Sequence, residues 1–231
     1  MFTYKLCKPN KFVFKPIHSN LDYFVIPFGH RCTSALACRY ARLRQFSLPF
    51  DWTNPSSPDK IKKVLEEDFA DFIPDVHNKK FKNKYEIKLE HFNHNIDKGI
   101  NEYKRRIIRF NELLNNKQKK YFIYINEDYL YDSKYRQDKF LDNNFSHMLD
   151  LETFIREKYT GIDYNILFFD FKKHTIPKDS NIITIVLSTT NTYTSVDKCN
   201  KVYEPFRNYC GKILAELFNT KLTLDTKKNF D

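Results

Sequence analysis

A glycine, a histidine, an arginine and a cysteine stand close together where an apolar segment meets a helical pattern. The segment DYFVIPFG ends at Gly29, and His30, Arg31 and Cys32 follow it directly. Glycine permits a sharp turn with positive φ at such a junction. A cysteine in the first turn of a helix lies near unpaired backbone N–H groups and the positive end of the helix dipole, which favour the thiolate. These residues predict an activated thiol at Cys32, to which His30 and Arg31 add positive charge.

Two other interpretations of this junction stay open. The same backbone N–H groups suit an anionic ligand instead of a reacting thiol. Free cysteine is also among the most often buried residue types, and a buried thiol at a turn is inert. Cys38, which falls within the helical pattern, is expected to serve packing alone.

A nucleophilic thiol needs a base, and this is normally a histidine. His91 is the best placed of the seven histidines, because the alternating segment KYEIKLEH puts it on one face with Ile87 and Leu89. His94 is the next candidate. A histidine that only completes the edge of the core fits the same pattern.

The group that orients this base is left open between Asp51, Asn126, Asp170 and others. Asp51 lies in the segment PFDW, beside the only tryptophan, Trp52. Flanking aromatic rings would fix the direction of its carboxylate, and desolvation would perturb its pKa. A turn aspartate between two core aromatics is the alternative.

Paired arginines follow in the segment EYKRRIIRF, where Arg105 and Arg109 fall on one ridge of a predicted helix. Two arginines four residues apart suit the clamping of a carboxylate or phosphate, although such a pair is also typical of a solvated helix face. No GxGxxG or GxxxxGK[ST] pattern occurs among only four glycines. Dinucleotide and P-loop nucleotide binding are therefore disfavoured.

Composition predicts one domain with a sizeable core. The chain has 231 residues, of which 41% are hydrophobic. We assign residues 21–220 to a single catalytic-type domain, residues 1–20 to a basic N-terminal arm and residues 221–231 to a loose C-terminal tail.

The net charge is +10 and is concentrated in residues 1–50, which hold eight basic residues and one acidic residue. No aromatic RNA-binding signature, zinc-finger spacing or basic zipper accompanies this charge, so nucleic acid is not the expected partner.

Cysteine usage and hydropathy further restrict the class of protein to which the chain belongs. Five cysteines without a CxxC pair or zinc-ligand spacing argue against a disulfide framework, a structural metal or another cofactor. No run of 18 apolar residues and no secretory signal is present, which predicts a cytoplasmic protein without a membrane span. The number of subunits is left open.

Four short apolar runs, separated by helical patterns, define the expected fold. Continuous rather than alternating apolar character predicts strands that are covered on both faces. The expectation is an α/β fold with a mostly parallel central sheet flanked by helices. In such sheets, functional sites gather at the carboxyl ends of the strands. Those ends are at residues 29–32, Asn126, Asp170 and residues 188–191.

A family resemblance adds to these observations. The combination IPFGHRC and SLPFDW, followed by LEEDFADF, EHF, YKRRIIRFNELL and YFIYI, resembles a papain-like cysteine peptidase family of bacteria and large DNA viruses. The resemblance spans about residues 22–171. It implies a nucleophile at Cys32 and a histidine at His91, an α+β papain-like fold as the alternative architecture, and the host cell cytoplasm for a viral member. Papain-type enzymes have a glutamine ahead of the cysteine, whereas Gln45 is the first glutamine here, so backbone N–H groups would have to bind the oxyanion.

We therefore expect a thiol hydrolase that acts on peptide or isopeptide bonds of a protein or peptide substrate. In this hypothesis Cys32 is the nucleophile, His91 is the base and Asp51 is the supporting acid. The residues expected to contact substrate are Gly29, His30, Trp52, Arg105 and Arg109. The alternatives are a non-peptidase transferase or an anion- or glycan-binding α/β protein with an arginine-lined pocket, and a basic interaction module that uses residues 1–50.

Overall fold

A computed structural model describes residues 3–7, 23–75, 81–90, 96–127, 144–188 and 196–220. The elements in chain order are β1 (Thr3–Cys7), β2 (Tyr23–Pro27), α1 (Thr33–Tyr40), β3 (Thr53–Asn54), α2 (Pro58–Glu66), β4 (Lys88–Leu89), α3 (Ile96–Asn115), β5 (Lys119–Ile125), α4 (Asn144–Lys158), β6 (Tyr164–Asp170), β7 (Ile182–Ser188) and α5 (Val196–Leu217).

Five strands form one sheet in the order β1-β7-β6-β5-β2. The strands β2, β5, β6 and β7 run parallel, and β1 lies antiparallel to β7 at one edge. The prediction of an α/β fold with a mostly parallel sheet is confirmed, and the α+β alternative is wrong because helices and parallel strands alternate along the chain. In the part of the chain that the structure describes, no helix combines the length and the apolar character needed to cross a bilayer.

Helices cover both faces of the sheet. On β5, Phe122 and Tyr124 join an apolar core with α2, α3 and α4, while Tyr121, Ile123 and Ile125 join a second core with α1 and α5. Alternate side chains of one strand therefore enter different cores, and both sets are apolar. This arrangement explains why the central strands appear in the sequence as continuous apolar runs.

The segment KYEIKLEH is a strand over Lys88–Leu89 only. The side chain of Asn83 accepts backbone hydrogen bonds from Tyr85, at 3.0 Å, and from Ile87, at 3.1 Å. These bonds close a turn, because an asparagine side chain competes with the strand ladder for backbone donors. The prediction of one strand across residues 84–91 is therefore wrong at its first half, and His91 lies outside the described residues.

The ends of the chain differ in part from expectation. Within the predicted arm, residues 3–7 form the edge strand β1, in which Thr3 pairs with Ser188. The predicted tail at residues 221–231 lies outside the described residues. The closing helix begins at Val196 rather than near Pro205, so the proline stands inside α5.

A glycine is required at the turn that follows β2. Gly29 has a φ of +89°, and a Cβ atom there would overlap the Ser56 hydroxyl and lie 3.2 Å from the Ser56 Cβ. Ser56 is itself fixed, since its N–H donates to the His30 carbonyl at 2.9 Å and its hydroxyl hydrogen-bonds that of Thr53 at 2.8 Å. The loop at Ser56 thus packs directly against the turn that leads into α1.

We expect Gly29→Ala to destabilise the protein more than Gly161→Ala, as measured by urea unfolding. Gly161 has a similar φ of +83° but nothing within 4 Å of the position of a Cβ, so it isolates the backbone cost. That cost is about 1–2 kcal/mol. Displacement of Ser56 adds a further cost only in Gly29→Ala. Equal losses of unfolding free energy in the two variants would show that the Ser56 loop moves without an energetic cost.

Candidate functional site

Polar and charged side chains gather at the carboxyl edge of the sheet. Cys32 follows β2, Asn126 and Glu127 follow β5, and Asp170 ends β6. The Asn126 amide donates to the Asp170 carboxylate at 3.3 Å. The prediction that these strand ends approach one another therefore holds for β5 and β6.

Cys32 lies directly before α1, and its carbonyl accepts the N–H of Leu36 at 2.9 Å. Its sulfur is 3.2 Å from the Nη2 atom of Arg207, which projects from α5. The Nε atom of Arg207 also donates to the Thr33 hydroxyl at 3.2 Å. One guanidinium thus holds two consecutive residues at the start of α1.

Glu127 completes this group of charges. The fully buried carboxylate accepts a hydrogen bond at Oε2 from the Thr33 hydroxyl. Its Oε1 atom is 3.6 Å from Arg31 Nε and accepts no hydrogen bond from the described residues. We refer to Arg31, Cys32, Thr33, Glu127 and Arg207 as the thiol cluster.

Burial raises the pKa of the Cys32 thiol above its ordinary value. Arg207 and Arg31 oppose this shift, whereas the Glu127 carboxylate adds to it. The direction of this shift runs against the expectation of a thiolate held by the helix start, because desolvation outweighs the positive charges. Cys32 is nevertheless partly exposed, while Cys38 and Cys210 are buried.

Asp51 lies in a separate polar group. Its buried Oδ2 accepts from Arg44 Nη2 at 2.7 Å and from the Leu48 N–H at 3.0 Å. Burial raises the pKa of this carboxyl, and Arg44 opposes the rise. The Arg44 guanidinium also stacks 5.5 Å from the centre of the Trp52 ring. The contacts described for Asp51 fix the PFDW turn and do not include the thiol cluster.

The two arginines of the predicted clamp have different surroundings. Arg109 donates to the Ser47 carbonyl at 2.8 Å and lies 5.4 Å from the centre of the Phe46 ring, whereas Arg105 is exposed. The arginine that contacts the thiol is Arg207, and Arg31 lies beside Glu127 in the same cluster. Arg207 joins the site only through the packing of α5 on α1, which no local spacing in the sequence reveals.

The assignment of His91 as the base stays a prediction, and other histidines lie near the strand ends. His91 and His94 lie outside the described residues. His30 is buried, with its Nδ1 atom 3.3 Å from the Tyr124 hydroxyl. Asp170 does orient a histidine, but this is His174, whose Nε2 atom is 2.5 Å from Asp170 Oδ2. The sequence signal for His174 was its place soon after the end of a buried strand.

Among the described residues, no group of three or more His, Cys, Asp or Glu side chains is arranged to hold a metal ion. Comparison with known proteins gives no matching family model, no similar curated protein and no similar solved structure.

We expect charge substitutions in the thiol cluster to shift the reactivity of Cys32 in opposite directions. Glu127→Gln removes a charge that raises the thiol pKa, so labelling by iodoacetamide at neutral pH becomes faster. Arg207→Gln removes a charge that lowers it, so labelling becomes slower. A tenfold change at neutral pH corresponds to about one pKa unit.

The measurement is the rate of Cys32 modification against pH, followed by mass spectrometry with Cys32→Ser as the assignment control. Shifts of the same sign in both variants would mean that access, rather than charge, governs the thiol.

Proposed function

We propose that this chain is a cysteine-dependent hydrolase that cleaves peptide or isopeptide bonds through Cys32. The observation that supports this proposal is the position of the sulfur. It is partly exposed, it precedes α1 at the carboxyl edge of a parallel sheet, and a guanidinium contacts it. Nucleophilic cysteines are found in such partly exposed, electropositive surroundings.

The cluster suits a thiol that is neutral at rest and becomes charged only during attack. Burial favours the neutral form, while Arg207 and Arg31 stabilise negative charge as it develops on the sulfur. The first N–H groups of a helix have no partners within the helix and can receive the oxyanion of a tetrahedral intermediate. These groups replace the glutamine that papain-type enzymes place ahead of the cysteine.

Proton transfer requires a further group. His91 remains the base that the family resemblance implies, and it lies outside the described residues. Glu127 is a second acceptor, because its Oε1 atom accepts no hydrogen bond from the described residues.

We expect Cys32→Ala to abolish hydrolysis of peptide aminomethylcoumarin amides and of an isopeptide-linked lysine substrate. Loss of a nucleophile costs about 10³-fold or more in rate, and Cys38→Ala is the matched control because Cys38 is a buried cysteine of α1, the helix that Cys32 precedes. The measurement is the initial rate over a panel of peptides. Turnover that is unchanged in Cys32→Ala would refute the assignment.

A second candidate function is the binding of an anionic group at the thiol cluster, as in a non-peptidase transferase. Arg31 and Arg207 both lower the thiol pKa, so the electric fields of both guanidinium groups favour negative charge at the sulfur. A carboxylate or phosphate of a ligand experiences the same attraction.

We expect inorganic phosphate to protect Cys32 from iodoacetamide in a saturable manner if this second candidate is correct. Arg207→Gln should weaken that protection about tenfold or more, and Arg105→Gln, on the exposed face of α3, should leave it unchanged. Chloride at matched ionic strength is the control. Equal protection by chloride would contradict a specific anion site.

A further inference from the structure

The hydroxyl of Thr33 makes contacts that its place in the sequence does not explain. Thr33 is the first residue of α1 and is fully buried. A threonine hydroxyl near a helix start commonly bonds to backbone groups of its own turn. Here the hydroxyl bonds to Glu127, which is 94 positions away, and to Arg207, which is 174 positions away. It therefore joins the start of α1 to the end of β5 and to α5.

The chemistry of the three groups fixes the direction of both bonds. A guanidinium can only donate, so the Thr33 oxygen accepts from the Nε atom of Arg207, at 3.2 Å. A hydroxyl has a single proton, and this proton is donated to Oε2 of Glu127. The carboxylate thus sets the rotation of the hydroxyl, and the hydroxyl in turn presents a lone pair to the guanidinium.

The same guanidinium contacts the sulfur. The Nε and Nη2 atoms of an arginine are bonded to one carbon and lie about 2.3 Å apart in a rigid plane. Nε of Arg207 is bonded to Thr33, and Nη2 is 3.2 Å from the Cys32 sulfur. An acceptor that fixes one nitrogen of a planar group also restricts the other nitrogen. The Thr33 bond therefore helps to determine where the positive charge lies relative to the sulfur.

The hydroxyl also lies between two groups of opposite charge. Oε1 of Glu127 is 3.6 Å from Arg31 Nε, and Oε2 is connected to Arg207 through the Thr33 hydroxyl. A buried carboxylate attracts a guanidinium strongly because little water screens the charges, and the two groups readily form a direct bidentate pair. A direct pair with Glu127 would draw Arg207 away from the sulfur.

We propose that Thr33 is a positioning residue, whose hydroxyl holds the Arg207 guanidinium at the Cys32 sulfur and separates it from Glu127. The proposal rests on the hydrolase function proposed above, in which this sulfur is the nucleophile. It requires no contact between Thr33 and a substrate. Removal of the hydroxyl allows Arg207 to turn towards Glu127, which leaves the sulfur with less positive charge beside it.

The test is the pH dependence of Cys32 labelling by iodoacetamide in variants that remove or keep the hydroxyl. We expect Thr33→Val to move the pH midpoint upwards and to slow labelling at neutral pH about tenfold, which is one pKa unit. Thr33→Ser keeps the hydroxyl and should label within about twofold of the wild type. Thr53→Val is the matched control and should also keep the wild-type midpoint. The Thr53 hydroxyl is buried too, and it donates to the Phe50 carbonyl at 3.0 Å.

Combined variants separate positioning from a structural role. Thr33→Val should add nothing in the Arg207→Gln background, because the cation that the hydroxyl positions is gone. Its effect should be smaller in the Glu127→Gln background, where no carboxylate draws the guanidinium away. Arg207→Lys keeps the charge and the bond between Thr33 and Glu127 but lacks the planar pair of nitrogens, so we expect slower labelling. This variant tests the proposal from α5 even where Thr33→Val does not fold.

Four results would overturn the positioning role. They are an unchanged midpoint in Thr33→Val, an equal shift in Thr33→Ser, a full Thr33→Val effect without Arg207, and wild-type labelling in Arg207→Lys. Labelling requires no substrate, so these results are independent of whether the protein is a hydrolase. Unchanged peptide turnover in Cys32→Ala would instead refute the hydrolase function, and it would leave the labelling pattern as it is.

Discussion

The two apolar layers around the parallel sheet constrain every charged group near its carboxyl edge. Because both faces of β5 and β6 are covered, polar side chains next to these strands occur where the strands end. A charge in such a place is costly unless it is paired or hydrogen-bonded. Glu127 meets this requirement through Thr33 and the neighbouring Arg31. The thiol is thereby placed among fixed charges rather than in bulk water.

This placement has opposing effects on the sulfur. Desolvation stabilises the neutral thiol, whereas the guanidinium of Arg207 stabilises the charged form. A protein that kept the thiolate at rest would expose a reactive group to any electrophile or oxidant. In the proposed hydrolase, negative charge is favoured only once a substrate is present to share it. In that proposal, the cluster is arranged around the reacting state rather than the resting one.

The sequence was informative where a local pattern determines structure. Continuous apolar runs predicted the parallel strands, and Gly29 predicted the turn ahead of Cys32. The pattern at residues 84–91 was misleading, because the Asn83 side chain takes backbone donors that a strand would need. The clamp at Arg105 and Arg109 stays a prediction, since helical spacing places two side chains on one ridge without specifying what they contact. Arg207 was missed because only the packing of two distant helices brings it to the thiol.

That packing has a consequence for biosynthesis. Cys32 and Arg207 are separated by 175 positions along the chain. A ribosome therefore exposes the cysteine long before it supplies the guanidinium neighbour. Until α5 emerges and docks on α1, the nascent polypeptide holds the sulfur without the cation that favours its ionisation. The electrostatic surroundings of this thiol are therefore complete only after α5 has been synthesised and has packed on α1.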